Sequence, residues 1–202
     1  MEIYYIGGSP CSGKSTTAEI LSKKHDLYYF KIDDYLDRYM QCAAKQGFDI
    51  CKNLMTMSAD EIWMREPGIQ CREEFEYYRE VSMFIQQDLY NLACERDVIT
   101  EGAAYVPVLM KQFGITYNRY LSLTPTKEFQ ITHFQRRDFV PYILRECTDK
   151  DQAFAKWMER DVLFAEDVRK QCKSIGYMSI VNDGKVAIEE MVGQIEKHFG
   201  LR

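Results

Sequence analysis

The sequence predicts a single-domain α/β protein built on a parallel sheet with helices on both faces. Three observations predict it. Short β-branched and aromatic runs alternate with longer stretches of helical periodicity, the pattern of parallel strands joined by right-handed crossovers. The first strand run meets the first helical stretch through Gly8-Ser9-Pro10-Cys11-Ser12-Gly13-Lys14-Ser15-Thr16, which fits G-x-x-x-x-G-K-[ST] without a mismatch. The 202 residues, 46% of them hydrophobic, suffice for one sizeable core and would cramp two domains.

Taken in order, Ile3 to Ile6 reads as a buried strand. Ser15 to Lys24 sets Ala18, Ile20 and Leu21 among polar residues and reads as an amphipathic helix. Leu27 to Ile32 is a second strand, ending at Asp33-Asp34. A largely helical region follows over about residues 35–96, broken at Gly47 and in a Glu66-Pro67-Gly68 turn. Its last piece, about 69–95, places Phe75, Tyr78, Val81, Ile85, Leu89 and Leu92 on one helix face. Val98 to Thr100 is a third strand, followed by Glu101-Gly102. Val106 to Phe113 is a short helix closed by Gly114. Arg119 to Leu123 is a fourth strand, and Thr124-Pro125 opens the next helix, where proline is accepted early. Thr148 to Ser174 is a long helix ended by Gly176. Tyr177 to Val181 is a fifth strand, and about 185–199 is a final amphipathic helix.

The chemistry-bearing residues gather at strand ends, where ligands of such sheets bind. The N–H groups of a glycine loop between strand and helix converge on phosphate oxygens, helped by the positive end of the helix dipole. Lys14 adds a charge for the β- and γ-phosphates of a nucleoside triphosphate, and Ser15 a hydroxyl ligand for Mg²⁺. Asp33 is placed to accept the proton of an attacking hydroxyl or to orient it. Capping of the helix that begins near Tyr35 is the other reading of Asp33 and Asp34. Glu101, before the small residues Gly102, Ala103 and Ala104, either reaches Mg²⁺ through water, bonds a substrate hydroxyl, or is a plain solvated carboxylate. After the fourth strand, Arg136, Arg137, Arg145 and Arg160 are candidates for stabilising charge on a transferring phosphoryl group. Neighbours on a helix diverge, so only one of Arg136 and Arg137 is expected to face a given site. The aromatics Tyr35, Tyr39, Phe48, Trp63, Phe75, Tyr77 and Tyr78 either stack on a base or sugar or fill the core.

Composition narrows the partners. A net charge of −5 argues against a non-specific nucleic-acid or anionic-membrane binder, and no apolar run approaches membrane-span length. Seven cysteines, none in C-x-x-C pairs, signal neither a zinc site nor a disulfide framework and suit a reducing compartment. The N-terminus runs straight into a strand, so the expectation is a cytoplasmic protein without a signal peptide, as monomer or homodimer. No N/T-K-x-D motif of a guanine-reading GTPase is present.

Together, Gly8 to Thr16, Asp33-Asp34, Val98-Ile99-Thr100-Glu101-Gly102 and the arginine-bearing segment after the fourth strand resemble the P-loop kinases of small molecules. That group includes nucleoside and nucleotide kinases, shikimate and gluconate kinases, and chloramphenicol phosphotransferase. The resemblance spans the chain in layout, and its one sharp motif is the loop. It implies a three-layer P-loop NTPase fold with a five-stranded parallel sheet in order 2-3-1-4-5. It also implies a helical substrate-binding insertion over about 35–96 and a lid over about 136–150. The implied activity is an ATP- and Mg²⁺-dependent kinase that phosphorylates a hydroxyl of a small molecule. Lys14 and Ser15 would take the phosphates and Mg²⁺, and Asp33 the acceptor hydroxyl. Asp34, Tyr35, Glu101 and Arg79 would lie at the acceptor, and Arg136 or Arg137 in the lid. Asn182-Asp183-Gly184 falls where such kinases contact adenine, or is a plain turn.

One departure is informative. Adenylate-kinase-like enzymes carry Asp-Gly-Phe-Pro-Arg where this chain has Glu101-Gly102-Ala103-Ala104-Tyr105. An arginine for an acceptor phosphate is missing there, which favours a nucleoside or other small alcohol unless Arg38, Arg65, Arg72 or Arg79 substitutes. A nucleoside monophosphate kinase and an ATP-binding regulatory module are the alternatives.

Overall fold

The computed structural model describes residues 1–201. Strands β1 (Ile3–Gly8), β2 (Tyr28–Lys31), β3 (Val98–Glu101), β4 (Tyr120–Pro125) and β5 (Met178–Asn182) form one sheet in the order β2-β3-β1-β4-β5. Every pairing is parallel, as expected from the strand and helix alternation. The helices are α1 (Lys14–His25), α2 (Leu36–Lys45), α3 (Asp49–Leu54), α4 (Ala59–Trp63), α5 (Pro67–Ala93), α6 (Pro107–Gln112), α7 (Lys127–Phe134), α8 (Phe139–Ile143), α9 (Lys150–Ile175) and α10 (Ile188–Phe199).

Strand alternation sorts the core into two layers. Tyr4, Ile6, Ile99, Leu121 and Leu123 pack with Leu21 of α1 and Val192 and Ile195 of α10 on one face. Tyr5, Phe30 and Tyr120 pack with Val81, Ile85 and Leu89 of α5 and with Phe164 and Val168 of α9 on the other. A third, smaller cluster joins Phe134 of α7 and Val140 and Leu144 of the expected lid to Trp157 and Met158 of α9, with Trp63 of α4 against it. The lid segment is therefore anchored, and Thr148 N–H donates to Asp60 of the insertion at 2.9 Å.

Several boundaries differ from the sequence expectation, each for a local reason. Pro125 ends β4 and opens no helix; it pairs in register with Asn182, and Thr126 caps α7 through the Phe129 N–H. A last-strand position suits proline, which has no N–H to give the ladder. Pro67 is the first residue of α5 and Glu66 its cap, accepting from Gly68 and Ile69, so the expected turn is the helix start itself. The insertion breaks after α2 around Gly47, and twice more before α5. Glu80, buried on α5, accepts the Ile50 and Cys51 N–H groups at 3.1 and 2.8 Å and so caps α3.

Candidate active site

The parallel register brings the ends of β1, β2 and β3 together: Ile6 pairs with Glu101, and Glu101 with Lys31. The Gly8–Thr16 loop leaves β1 there. Gly8 has φ +118°, and a Cβ on it would lie 1.7 Å from the Leu123 carbonyl oxygen, so only glycine lets the loop lean on β4. Ser9 N–H donates to that same carbonyl at 3.2 Å. From the other side, Asn182 Nδ2 donates to the Ser12 carbonyl at 3.0 Å, so β5 helps to hold the loop. Among the described residues the amides of Ser12, Gly13, Lys14 and Ser15 meet no protein acceptor, and α1 has no side-chain cap. Those free N–H groups at the first turn form an anion cradle.

Lys14 is buried in the loop and donates to the Ser9 carbonyl at 2.6 Å. Burial lowers its pKa, and the charges of Glu101 and Asp33 oppose that shift. Glu101 is buried at the end of β3 and accepts from the Tyr29 hydroxyl at 2.9 Å. Asp33 sits in a short turn after β2; neither it nor Asp34 caps α2, whose N-terminus has no side-chain cap. A Cβ on Gly102 would stand 2.0 Å from Ile32 and 3.5 Å from Asp33 Oδ1, so glycine lets the ends of β2 and β3 close on each other. Asp33 is open to the water of the cleft, yet the walls crowd it. That crowding and the Glu101 charge raise its pKa, with Lys14 pulling the other way.

These groups line one cleft of about 720 Å³, which also takes in Pro10, Cys11 and Ser15 of the loop, Arg137 of the lid and Arg160 of α9. A branch of about 190 Å³ runs from it into the insertion, walled by Trp63, Tyr77 and Tyr78, with Arg65, Glu73, Glu74 and Arg160. The two adjacent arginines part as expected: Arg137 lines the cleft beside Cys11, and Arg136 lies outside it. Arg160 is held by Glu74 at 2.6 Å and by Asp161 at 2.7 Å, with the Trp63 ring 5.5 Å from its guanidinium carbon.

Other sequence candidates also stand elsewhere, Arg145 among them, exposed and paired with Glu146 at 3.3 Å. Arg79 is on the solvent side of α5, paired with Glu76 at 2.6 Å. Tyr35 stacks on Phe30 at 4.6 Å and packs against the core, outside the cleft lining. Asp34 lies outside the cleft lining, 3.8 Å from Lys31, and Thr16 is exposed on the first turn of α1. Sequence reasoning missed Asp37, Tyr29 and Trp157, which line or brace the cleft. Their signals were ordinary ones: an acid in a first helical turn, a strand aromatic and a helix aromatic.

Comparison with known proteins bears on the fold. TT1252 from Thermus thermophilus is similar with a TM-score of 0.55 at 18% identity, covering 100% of this chain and 98% of that one. An uncharacterized protein from Eubacterium ventriosum (TM-score 0.45, 14% identity, all of both chains) also matches. So does a "putative kinase" from Chloroflexus aurantiacus (0.47, 12%, 98% of this chain and 97% of that one). No protein-family model matches the chain, and no curated protein does. The architecture is α/β with an all-parallel five-stranded sheet in the 2-3-1-4-5 order, a fold that TT1252 shares.

The donor set suits a magnesium nucleotide. No group of three or more His, Cys, Asp or Glu among the described residues is arranged to hold a metal on its own. Mg²⁺ is commonly held by one or two protein oxygens with phosphates and water. The Ser15 hydroxyl and the water-accessible carboxylates of the cleft fit that mode. No helix among the described residues is long and apolar enough to cross a membrane.

Proposed function

We propose that this protein is a phosphotransferase that moves the γ-phosphoryl group of ATP to a hydroxyl of a small molecule. One observation carries the reading: the free-amide loop with Lys14, and the carboxylates Asp33 and Glu101, share one cleft whose far half is aromatic and has no nucleotide-loop feature. Phosphoryl transfer asks for positioning and charge stabilisation more than for covalent chemistry.

In this reading, the loop amides and Lys14 hold the β- and γ-phosphates, and Ser15 holds the metal. Bound Mg²⁺ would neutralise charge shared between those phosphates. Asp33 orients the acceptor hydroxyl and takes its proton as oxygen bonds to the γ-phosphorus. The bond from that phosphorus to the β–γ bridging oxygen breaks, and ADP leaves. Its raised pKa suits Asp33 to accept a proton. Tyr29 fixes the Glu101 carboxylate beside the acceptor. Arg137 is the lid arginine within reach of the phosphates, and the aromatic branch takes the acceptor's body. Asp33→Asn is the test. The expected result is a fall in kcat of at least about 100-fold, the usual scale for a lost general base, with the Kd for Mg-ATP within threefold. Turnover unchanged in the variant would refute the role.

A further inference from the structure

We infer that the acceptor is an alcohol bearing a protonated amine, held by Asp37 and the aromatic wall of the cleft. This rests on the phosphotransferase reading above and names the substrate class of that site.

At the loop end, the free cationic groups are Lys14 and Arg137 beside unpaired amides, a place for anions. At the acceptor end, both arginines are already engaged. Arg160 faces two carboxylates, Glu74 and Asp161, at 2.6 and 2.7 Å. Arg65 is paired with Glu73 in the branch, and Lys31 leans to Asp34 at 3.8 Å. The carboxylates are in excess: Asp33 and Asp37 both line the cleft, and neither makes an ion pair among the described residues. An anionic acceptor would have to displace Glu73 or Glu74 from its arginine, leaving a carboxylate unpaired in a half-buried pocket. A cation meets no such obstacle.

The walls agree with the charge. Trp63, Tyr77, Tyr78 and Trp157 line this end, and Arg160 already sits over Trp63. Ring faces attract cations, most strongly where water is thinned out. Asp33 and Asp37 lie one helical turn apart in sequence, at the end of β2 and the first turn of α2. One acceptor molecule thus meets a carboxylate for its hydroxyl and a second for its ammonium. Complementarity of this kind sets specificity more than raw affinity.

The two tryptophans of the chain both line the cleft, so binding is readable by intrinsic fluorescence without any turnover. The probes are ethanolamine, glucosamine and a two-ring aminoglycoside, each against its N-acetylated form, with gluconate as the anionic alcohol. The inference predicts that at least one amine binds at least tenfold more tightly than its N-acetyl form and than gluconate. In Asp37→Asn that preference ratio falls at least tenfold, and in Asp37→Lys it inverts; Asp37 is exposed, so both variants keep the fold. Amine binding lost in Asp37→Asn, with no phosphorylated product from Mg-ATP, would sustain the inference and sink the phosphotransferase reading. Preferred phosphorylation of neutral or anionic alcohols would do the reverse. No fluorescence response to any amine, or a preference untouched in Asp37→Asn, overturns it.

Discussion

Asp161 is a carboxyl group in an unusual position for its charge. It is buried on α9, both its oxygens lack a hydrogen-bond partner, and its one close countercharge is Arg160 at 2.7 Å. Burial pushes its pKa from an ordinary 3.8 up to about 7, with Arg160 opposing the rise. Between those values the folded chain keeps a proton that the unfolded chain releases. The group's contribution to stability is therefore full below about pH 4 and is lost as pH rises through about 7. In Asp161→Asn, thermal unfolding between pH 4 and pH 8 should lack this decline; an identical pH slope in variant and wild type would contradict it. The legibility of single residues follows the same physics. The place of Lys14 and Ser15 was readable because G-x-x-x-x-G-K-[ST] between a strand and a helix tolerates few alternatives at those positions. Asp33 and Glu101 were readable because strand ends of a parallel sheet meet in one crevice. Arg79 and Tyr35 were placed wrongly because which face of a helix or turn meets the cleft depends on packing that spacing alone does not contain. Asp37 went unseen because an acid in a first helical turn is expected for the dipole alone.

The insertion depends at the element scale on α5. This helix offers an apolar face to the sheet and a buried Glu80 to α3. The acid accepts two otherwise orphaned amides, which lets a helix as short as Asp49–Leu54 stand and carry Leu54 to the cleft wall. Glu80→Ala should cost about 1–3 kcal/mol, the range for leaving buried donors without an acceptor. A urea denaturation midpoint unchanged from wild type would show that α3 needs no such cap. The periodicity of α5 was plain in the sequence because its face repeats over several turns. The break at Gly47 was also expected, but the further break between α3 and α4 was not, because short helices held by long-range caps carry too few residues to show a period. The same reason hid the role of Pro125, whose strand pairing with Asn182 is a contact across the chain.

At the scale of the whole molecule, the glycine loop and the acid-bearing strand ends share one crevice. The order β2-β3-β1-β4-β5 puts β1 and its loop at the centre, with the acid-bearing ends of β2 and β3 on one side and the lid after β4 on the other. The strand and helix alternation already implied a parallel sheet, since parallel strands need covered faces and long crossovers, and the resemblance to the P-loop kinases of small molecules implied its order. The far half of the cleft was not legible in that pattern, because it is assembled from α2, α4, α5 and α9, brought together only by folding. The most direct measurement is ³¹P NMR of wild-type protein with Mg-ATP and the amine-bearing alcohols. The account predicts a new phosphomonoester resonance growing in step with ADP. ATP that stays intact, or that yields only ADP and inorganic phosphate with every acceptor, would contradict it.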